Sequence, residues 1–222
     1  MNCEMKKTCL WKCYSREERQ FVSELYCWLK FEDNLKEFCS LIGMKNFQKN
    51  DLEVNFEVAL FRDIKWNNDI EKNISGYFQE NKAKEEFAKY CRETDDNVLP
   101  KSFKKALKKR VFDLVIFDHN ESDPVMYIIE VKAQTEMMFD SADRFIDLIP
   151  LVTKYSYKKI ALLPKSKCKN GWKIITWSEL AVIAEKTEKE ETGVKFSWWF
   201  RRAEKIYKAK YCGNGTIERA QL

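Results

Sequence analysis

Two short runs, Val111–Phe117 and Val125–Ala133, are the most apolar of the chain, and both are rich in β-branched and aromatic residues. The Asp118–Pro124 stretch between them consists of turn residues, so the pair predicts a β-hairpin. Upstream, Phe21, Leu25, Trp28 and Leu29 recur at helical spacing behind Ser15-Arg-Glu-Glu18, a capping-box pattern that should open a helix at Ser15. A second helix, Asn34 to Ile42, should end at Gly43 in a left-handed cap. Val54, Phe56, Val58 and Leu60 alternate within Leu52–Phe61 and predict a strand, with Glu57 on its other face.

The pattern weakens between Trp66 and Pro100: a turn at 67–69, a helix from Ile70, another over Lys82–Arg92, and a loop at Thr94–Asn97. Phe103, Ala106 and Leu107 then mark a short helix within Lys101–Arg110. After the hairpin, Ser141 should cap a helix carrying Ala142, Phe145, Ile146 and Ile149, ended or kinked by Pro150. Lys159–Leu163 and Lys173–Trp177 read as strands, and Ser178 as the cap of a helix through Ala184. A charged linker, Thr187–Thr192, precedes a basic, aromatic-rich helix over Ser197–Tyr211. From Ser15 the order is α-β-β-β-α-β plus one further strand and helix, an α/β fold with a mixed central sheet flanked by helices. The expected organisation is a tail over 1–14, one domain over 15–186 with an insertion at about 66–100, and an extension over 187–222.

Each arm of the hairpin carries an interruption: Asp113 in the first, Glu130 and Lys132 in the second. Side chains alternate along a strand, so 130 and 132 share a face. If Phe117 faces Met126 across the turn, Asp113 lies opposite Glu130, with Cβ atoms about 4.5–5.5 Å apart. The turn fixes that register to within one residue. Two opposed carboxylates repel unless a cation separates them. Lys132 supplies one positive charge, and a divalent ion would supply more. Hard oxygen ligands with room for water suit Mg²⁺ or Mn²⁺ rather than zinc. Carboxylates, such an ion and an ammonium together suit phosphodiester hydrolysis. The plainer reading of the same three residues is a solvated charge cluster on an edge hairpin.

F-D113-L-V-I-F followed by I-I-E130-V-K132-A-Q134 resembles the PD-(D/E)XK nuclease superfamily, closely over the hairpin and more loosely from about Ser15 to Ala184. Phe112 stands where the superfamily's name puts a proline. The resemblance implies a restriction-endonuclease-like αβββαβ core, with Asp113, Glu130 and the Val131 carbonyl holding Mg²⁺ and Lys132 assisting the attacking water. Gln134, on the same face, would bond water or phosphate. Members often bring a further acid from the first core helix, which Glu24 resembles; Glu57 is a second candidate if its strand neighbours the hairpin. The implied substrate is DNA, with RNA open because the metal chemistry does not depend on the sugar. A different class, the same fold as a non-catalytic binding or scaffolding module, is the alternative.

Charge sharpens this picture. The net charge of +5 permits nucleic-acid binding without requiring it, so the placement of the lysines matters more than their sum. Lys101–Arg110 packs six positive charges directly ahead of the motif strand, which makes Lys104, Lys105, Lys108, Lys109 and Arg110 candidate phosphate contacts. For Trp198, Trp199 and Phe200, packing on the core, a homodimer contact and base stacking compete. Cys3, Cys9 and Cys13 form the one cysteine cluster, with spacings that match no common metal site. The remaining cysteines are scattered, and together with the lack of a long apolar run they predict a cytoplasmic chain with reduced thiols and no membrane segment. No Gly-rich strand-to-helix turn exists, so no nucleotide cofactor is expected. His119, the one histidine, falls in the hairpin turn with no visible catalytic partner.

Overall fold

Strands β1 (Leu52–Val58), β2 (Phe112–Asp118), β3 (Val125–Val131), β4 (Ser156–Leu163) and β5 (Trp172–Thr176) form a sheet in the order β1-β2-β3-β4-β5 in the computed structural model. The structure describes residues 18–44, 48–80, 99, 101–133, 139–165, 169–188 and 195–211. The expected cap at Ser15, the cluster Cys3/Cys9/Cys13, the helix over 82–92, the loop over 94–97 and Gln134 lie outside them. The sheet is mixed, because β1 runs antiparallel to β2 and β4 parallel to β5. The α/β class expected from the pattern therefore stands. Helices α1 (Glu18–Leu29), α2 (Glu32–Leu41), α3 (Leu60–Asp63), α4 (Asn68–Glu80), α5 (Lys101–Lys108), α6 (Phe139–Ile146), α7 (Ile149–Val152), α8 (Trp177–Thr187) and α9 (Phe196–Tyr211) complete the described elements. None of them is long and apolar enough to cross a membrane.

Internal contacts divide the chain into two units, one drawn from 1–49, 129–137 and 159–222, the other from 50–128 and 138–158. In the first, α1 buries the stripe Phe21, Leu25, Trp28 and Leu29 that its periodicity announces. Trp28 meets Phe38 of α2 edge-on at 6.4 Å and Phe200 of α9 at 5.6 Å, while Trp177 lies 5.8 Å from both Phe21 and Phe200. The core of this unit is thus a set of interlocked aromatic rings, and α9 belongs to it through Phe200. Asn34 of α2, itself buried, donates to the Trp28 carbonyl at 2.9 Å, and α2 starts at Glu32 rather than Asn34, with the Leu35 N–H returning to the Phe31 carbonyl at 2.9 Å. Gly43 follows with φ +80, the left-handed position expected there.

Three boundaries in this unit and its neighbouring strands move from their expected places. β5 ends at Thr176, not Trp177, and the cap of α8 is Thr176, not Ser178. Thr176 accepts from the Glu179 backbone N–H, and the Glu179 carboxylate accepts from the Thr176 N–H, a closed capping box. This frees Trp177, the first helical residue, to face the core, where it is fully buried. β4 starts at Ser156, three residues before Lys159, because Ser156 N–H is held by the Pro124 carbonyl at 3.0 Å.

In the second unit, β2 is buried on both faces at Leu114, Val115 and Ile116, which explains its continuous rather than alternating apolar run. β1 pairs with it from Leu52↔Asp118 to Val58↔Phe112. The strand stops at Val58 and does not reach Phe61. Leu60–Asp63 turn into α3, whose Arg62 and Asp63 N–H groups return to the Ala59 carbonyl, and Phe61 packs its buried ring 6.2 Å from Phe112. α4 opens at Asn68, before the expected Ile70, because the Asn67 side chain accepts from the Ile70 N–H at 2.8 Å. α6 starts at Phe139, two residues ahead of Ser141, which is therefore inside the helix rather than its cap. Pro150 sits in the first turn of a separate α7, where its missing N–H costs nothing.

The aromatic core makes a stability prediction. Phe200→Ala should destabilise the chain by about 3–5 kcal/mol in urea unfolding. Trp198→Ala, at an exposed ring of the same helix, should cost less than about 1 kcal/mol.

Candidate active site

Glu130 ends the apolar run of β3 with a side chain that is only 4% exposed. A carboxylate so buried is tolerated only with hydrogen bonds, a cation or a proton to neutralise it. Val131 and Lys132 follow directly, and the Lys132 ammonium donates to the Val131 carbonyl at 2.9 Å. Lys132 leaves the strand but is held at both backbone ends. Its N–H donates to the Leu162 carbonyl of β4 at 2.9 Å, and its own carbonyl accepts the Trp177 indole N–H at 2.9 Å. A carboxylate and a backbone carbonyl are the kinds of oxygen donor that hard divalent ions take, and here the carbonyl accepts the Lys132 ammonium. Glu24, on α1 in the same unit, is half-buried and accepts from the Gln20 side-chain amide at 2.7 Å.

Asp113 lies in the second unit, half-buried between the fully buried Phe112 and Leu114. The β1–β2 ladder pairs Phe56 with Leu114 and Val58 with Phe112, and Glu57, between the two pairs, departs from the extended backbone of the strand. Glu57 has φ +53, in the left-handed region that a side chain other than glycine enters at a cost of about 1–2 kcal/mol. Such strain is concentrated at functional positions. Of the two candidates for an extra acid, Glu57 lies on the strand that pairs with the one carrying Asp113, and Glu24 lies in the unit that carries Glu130 and Lys132.

The five basic candidates ahead of β2 separate into two kinds. Lys104 forms an ion pair with Glu71 of α4 and lies 4.9 Å from the centroid of the Trp66 ring; Lys108 lies over the same ring at 5.7 Å. The Arg110 guanidinium lies 5.5 Å from both Phe112 and Phe145. These three are tied to packing around Trp66 and Phe112. Lys105 and Lys109 are exposed, and Leu107 is the residue by which α5 is anchored to the core.

His119 has two partners that sequence reasoning did not find. Nδ1 lies 2.7 Å from the Tyr155 hydroxyl, Nε2 lies 3.0 Å from Glu53, and the ring stacks on Phe117 at 5.9 Å. Glu53 accepts from Nε2–H and Tyr155 donates to Nδ1 in the neutral ring, a chain that joins β1, the hairpin turn and the segment before β4. Burial and the nearby Glu53 carboxylate raise the Tyr155 hydroxyl pKa, so it stays protonated through the neutral range. The His119 backbone N–H adds a 2.8 Å bond to the Asp51 carbonyl, so the group reads as a clasp for the turn. Among the described residues, no group of three or more His, Cys, Asp or Glu side chains is placed to hold a metal ion. Comparison with family models, with curated proteins and with solved structures gives no match.

Two measurements follow from this placement. In duplex DNA binding, replacing both Lys105 and Lys109 by Gln should reduce the slope of log K against log salt by about 0.9 per lost phosphate contact, whereas Lys104→Gln should leave the slope unchanged. Glu57→Gly should raise thermal stability, by up to about 1 kcal/mol, because glycine accepts the positive φ without strain. A lower melting temperature for Glu57→Gly would show that the side chain holds β1 rather than straining it.

Proposed function

We propose that the chain is a Mg²⁺-dependent nuclease of the PD-(D/E)XK kind acting on DNA. The observation that carries the reading is the Glu130-Val131-Lys132 arrangement, in which a buried carboxylate, a carbonyl and an ammonium drawn to that carbonyl stand in succession. Asp113 and Glu130 would supply charged oxygen ligands to the ion and the Val131 carbonyl a neutral one, and the chemistry the ion would supply there is polarisation of the scissile phosphate and a lowered pKa for water. Lys132 exchanges its bond to the Val131 carbonyl for the attacking water, orienting it and offsetting negative charge at phosphorus. Trp177 holds the Lys132 backbone in place for that role. Glu57, on the strand that pairs with β2, is the extra acid, and Lys105 and Lys109 take the phosphate backbone. The αβββαβ core of the restriction endonucleases is the form of the α/β fold that this reading requires, and RNA remains a substrate to be tried alongside DNA.

The second reading, a non-catalytic nucleic-acid-binding module of the same fold, is favoured by one observation: the Val131 carbonyl that would serve as a metal ligand accepts the Lys132 ammonium instead. Supercoiled, linear, single-stranded and branched DNA incubated with Mg²⁺ or Mn²⁺ separate the two. On the nuclease reading cleavage occurs, Lys132→Met abolishes it while Mg²⁺ still raises the melting temperature, and Asp113→Ala or Glu130→Ala removes both effects. Absence of cleavage with every substrate, together with no thermal shift in millimolar metal, would leave the binding module.

A further inference from the structure

The chain's excess charge is not spread over its surface. Of 40 Lys and Arg residues and 35 Asp and Glu residues, the 195–211 segment holds Lys195, Arg201, Arg202, Lys205, Lys208 and Lys210 against the one acid Glu204. The other residues then carry 34 of each sign, so the entire formal net charge of +5 belongs to α9 and the residue before it. The start of α9 also carries an exposed aromatic group. Phe196, Phe200 and Ala203 face inward, whereas the Trp198 indole is 36% exposed, 4.9 Å from the Trp199 ring. The Arg202 guanidinium lies 5.3 Å from the Trp198 ring centroid, one helical turn on. Phe31, 50% exposed, lies 6.1 Å from Phe196 at the same end of the helix. Arg201 is committed elsewhere, with two bonds to the Glu185 carboxylate of α8 at 3.0 and 3.1 Å.

Trp198 keeps about a third of its surface open to solvent beside the Arg202 guanidinium, and the exposed Phe31 ring lies near the same end of the helix, while Phe196, Ser197 and Phe200 seat α9. We infer that the first turns of α9 are a binding site for single-stranded nucleic acid, in which an unstacked base lies on Trp198 while Arg202, Lys195 and Lys205 meet the flanking phosphates. The charge is complementary to a polyanion, and the rings add what a generic polyanion has no use for. A base presents a face to stack on an indole, at a strength that is large in alanine substitutions, and a guanidinium beside the ring reinforces it. A duplex keeps its bases stacked and has no such face to offer. The site stands on α9 alone and holds whether or not the Glu130 centre cuts nucleic acid.

The test is fluorescence anisotropy with the full chain in EDTA, which prevents cleavage. A labelled oligothymidylate is compared with an abasic oligomer of the same length and charge, with a duplex, and with polyglutamate. Oligothymidylate should bind about tenfold or more tighter than the abasic oligomer, the range expected for base–aromatic stacking. Trp198→Ala should erase that difference, Trp198→Phe should retain most of it, and Arg202→Gln should weaken both oligomers together. The abasic comparison is made on the unmodified protein, so it reads the stacking even if a variant folds poorly. Equal affinity for oligothymidylate and the abasic oligomer would overturn the inference by leaving charge as the sole attraction, and tighter binding of polyglutamate would overturn it by making α9 a docking helix for an acidic protein. Because Lys132→Met removes cleavage but leaves α9 intact, loss of activity in that variant with full oligothymidylate binding keeps the two assignments separate.

Discussion

The bond from the Trp177 indole to the Lys132 carbonyl is the constraint on which the first unit turns. Lys132 is the first residue past β3, where a chain would ordinarily begin to fray, and its backbone is fixed instead by β4 on one side and by this indole on the other. The same ring packs on Phe21 and Phe200, so the helix that carries Glu24 and the helix that carries the excess positive charge both rest against it. A buried tryptophan needs a partner for its N–H, and here that requirement positions the backbone of a lysine. Capping does the rest. The Thr176–Glu179 box starts α8 at Trp177, the residue after the cap, and so turns the ring inward.

Charge is handled differently in the two units. In the second, lysines beside aromatic rings and Glu71 belong to the packing of α4 and α5, and their stems cover apolar surface while their heads find partners. In the first, Arg201 of α9 is met by Glu185 and Glu204. Glu188 serves instead to hold the helix start, accepting from the Ser197 N–H at 2.6 Å and the Ser197 hydroxyl at 2.9 Å. An acid placed at the N-terminus of a helix also complements its dipole.

What could be read from the sequence was what depends on neighbours along the chain. The buried stripe of α1, the two strands of the hairpin and the cap at Gly43 follow from periodicity and from one residue's conformational freedom, and they stand as expected. The early end of β1 could not be read, because glutamate gives no sign of a left-handed backbone and the alternation of Phe56, Val58 and Leu60 runs straight through the break. Thr176 and Ser178 are equally good caps by type; burial of Trp177 decides between them. The candidate site divides in the same manner. Asp113 and Glu130 stand out because they interrupt apolar strands, and Lys132 because it follows one directly. The loss of Lys104 to Glu71, 33 residues away, and the partners of His119, 36 and 66 residues away, depend on the fold and leave no local pattern.

The clasp around His119 also makes the chain its own reporter. Since this is the one imidazole in 222 residues, any imidazole proton resonance belongs to it, with no assignment needed. That ring touches β1 through Glu53, the hairpin turn through its own backbone, and the approach to β4 through Tyr155. A single line in a one-dimensional spectrum therefore registers whether three separate stretches of chain have come together, and it can be followed during refolding or titration without labels.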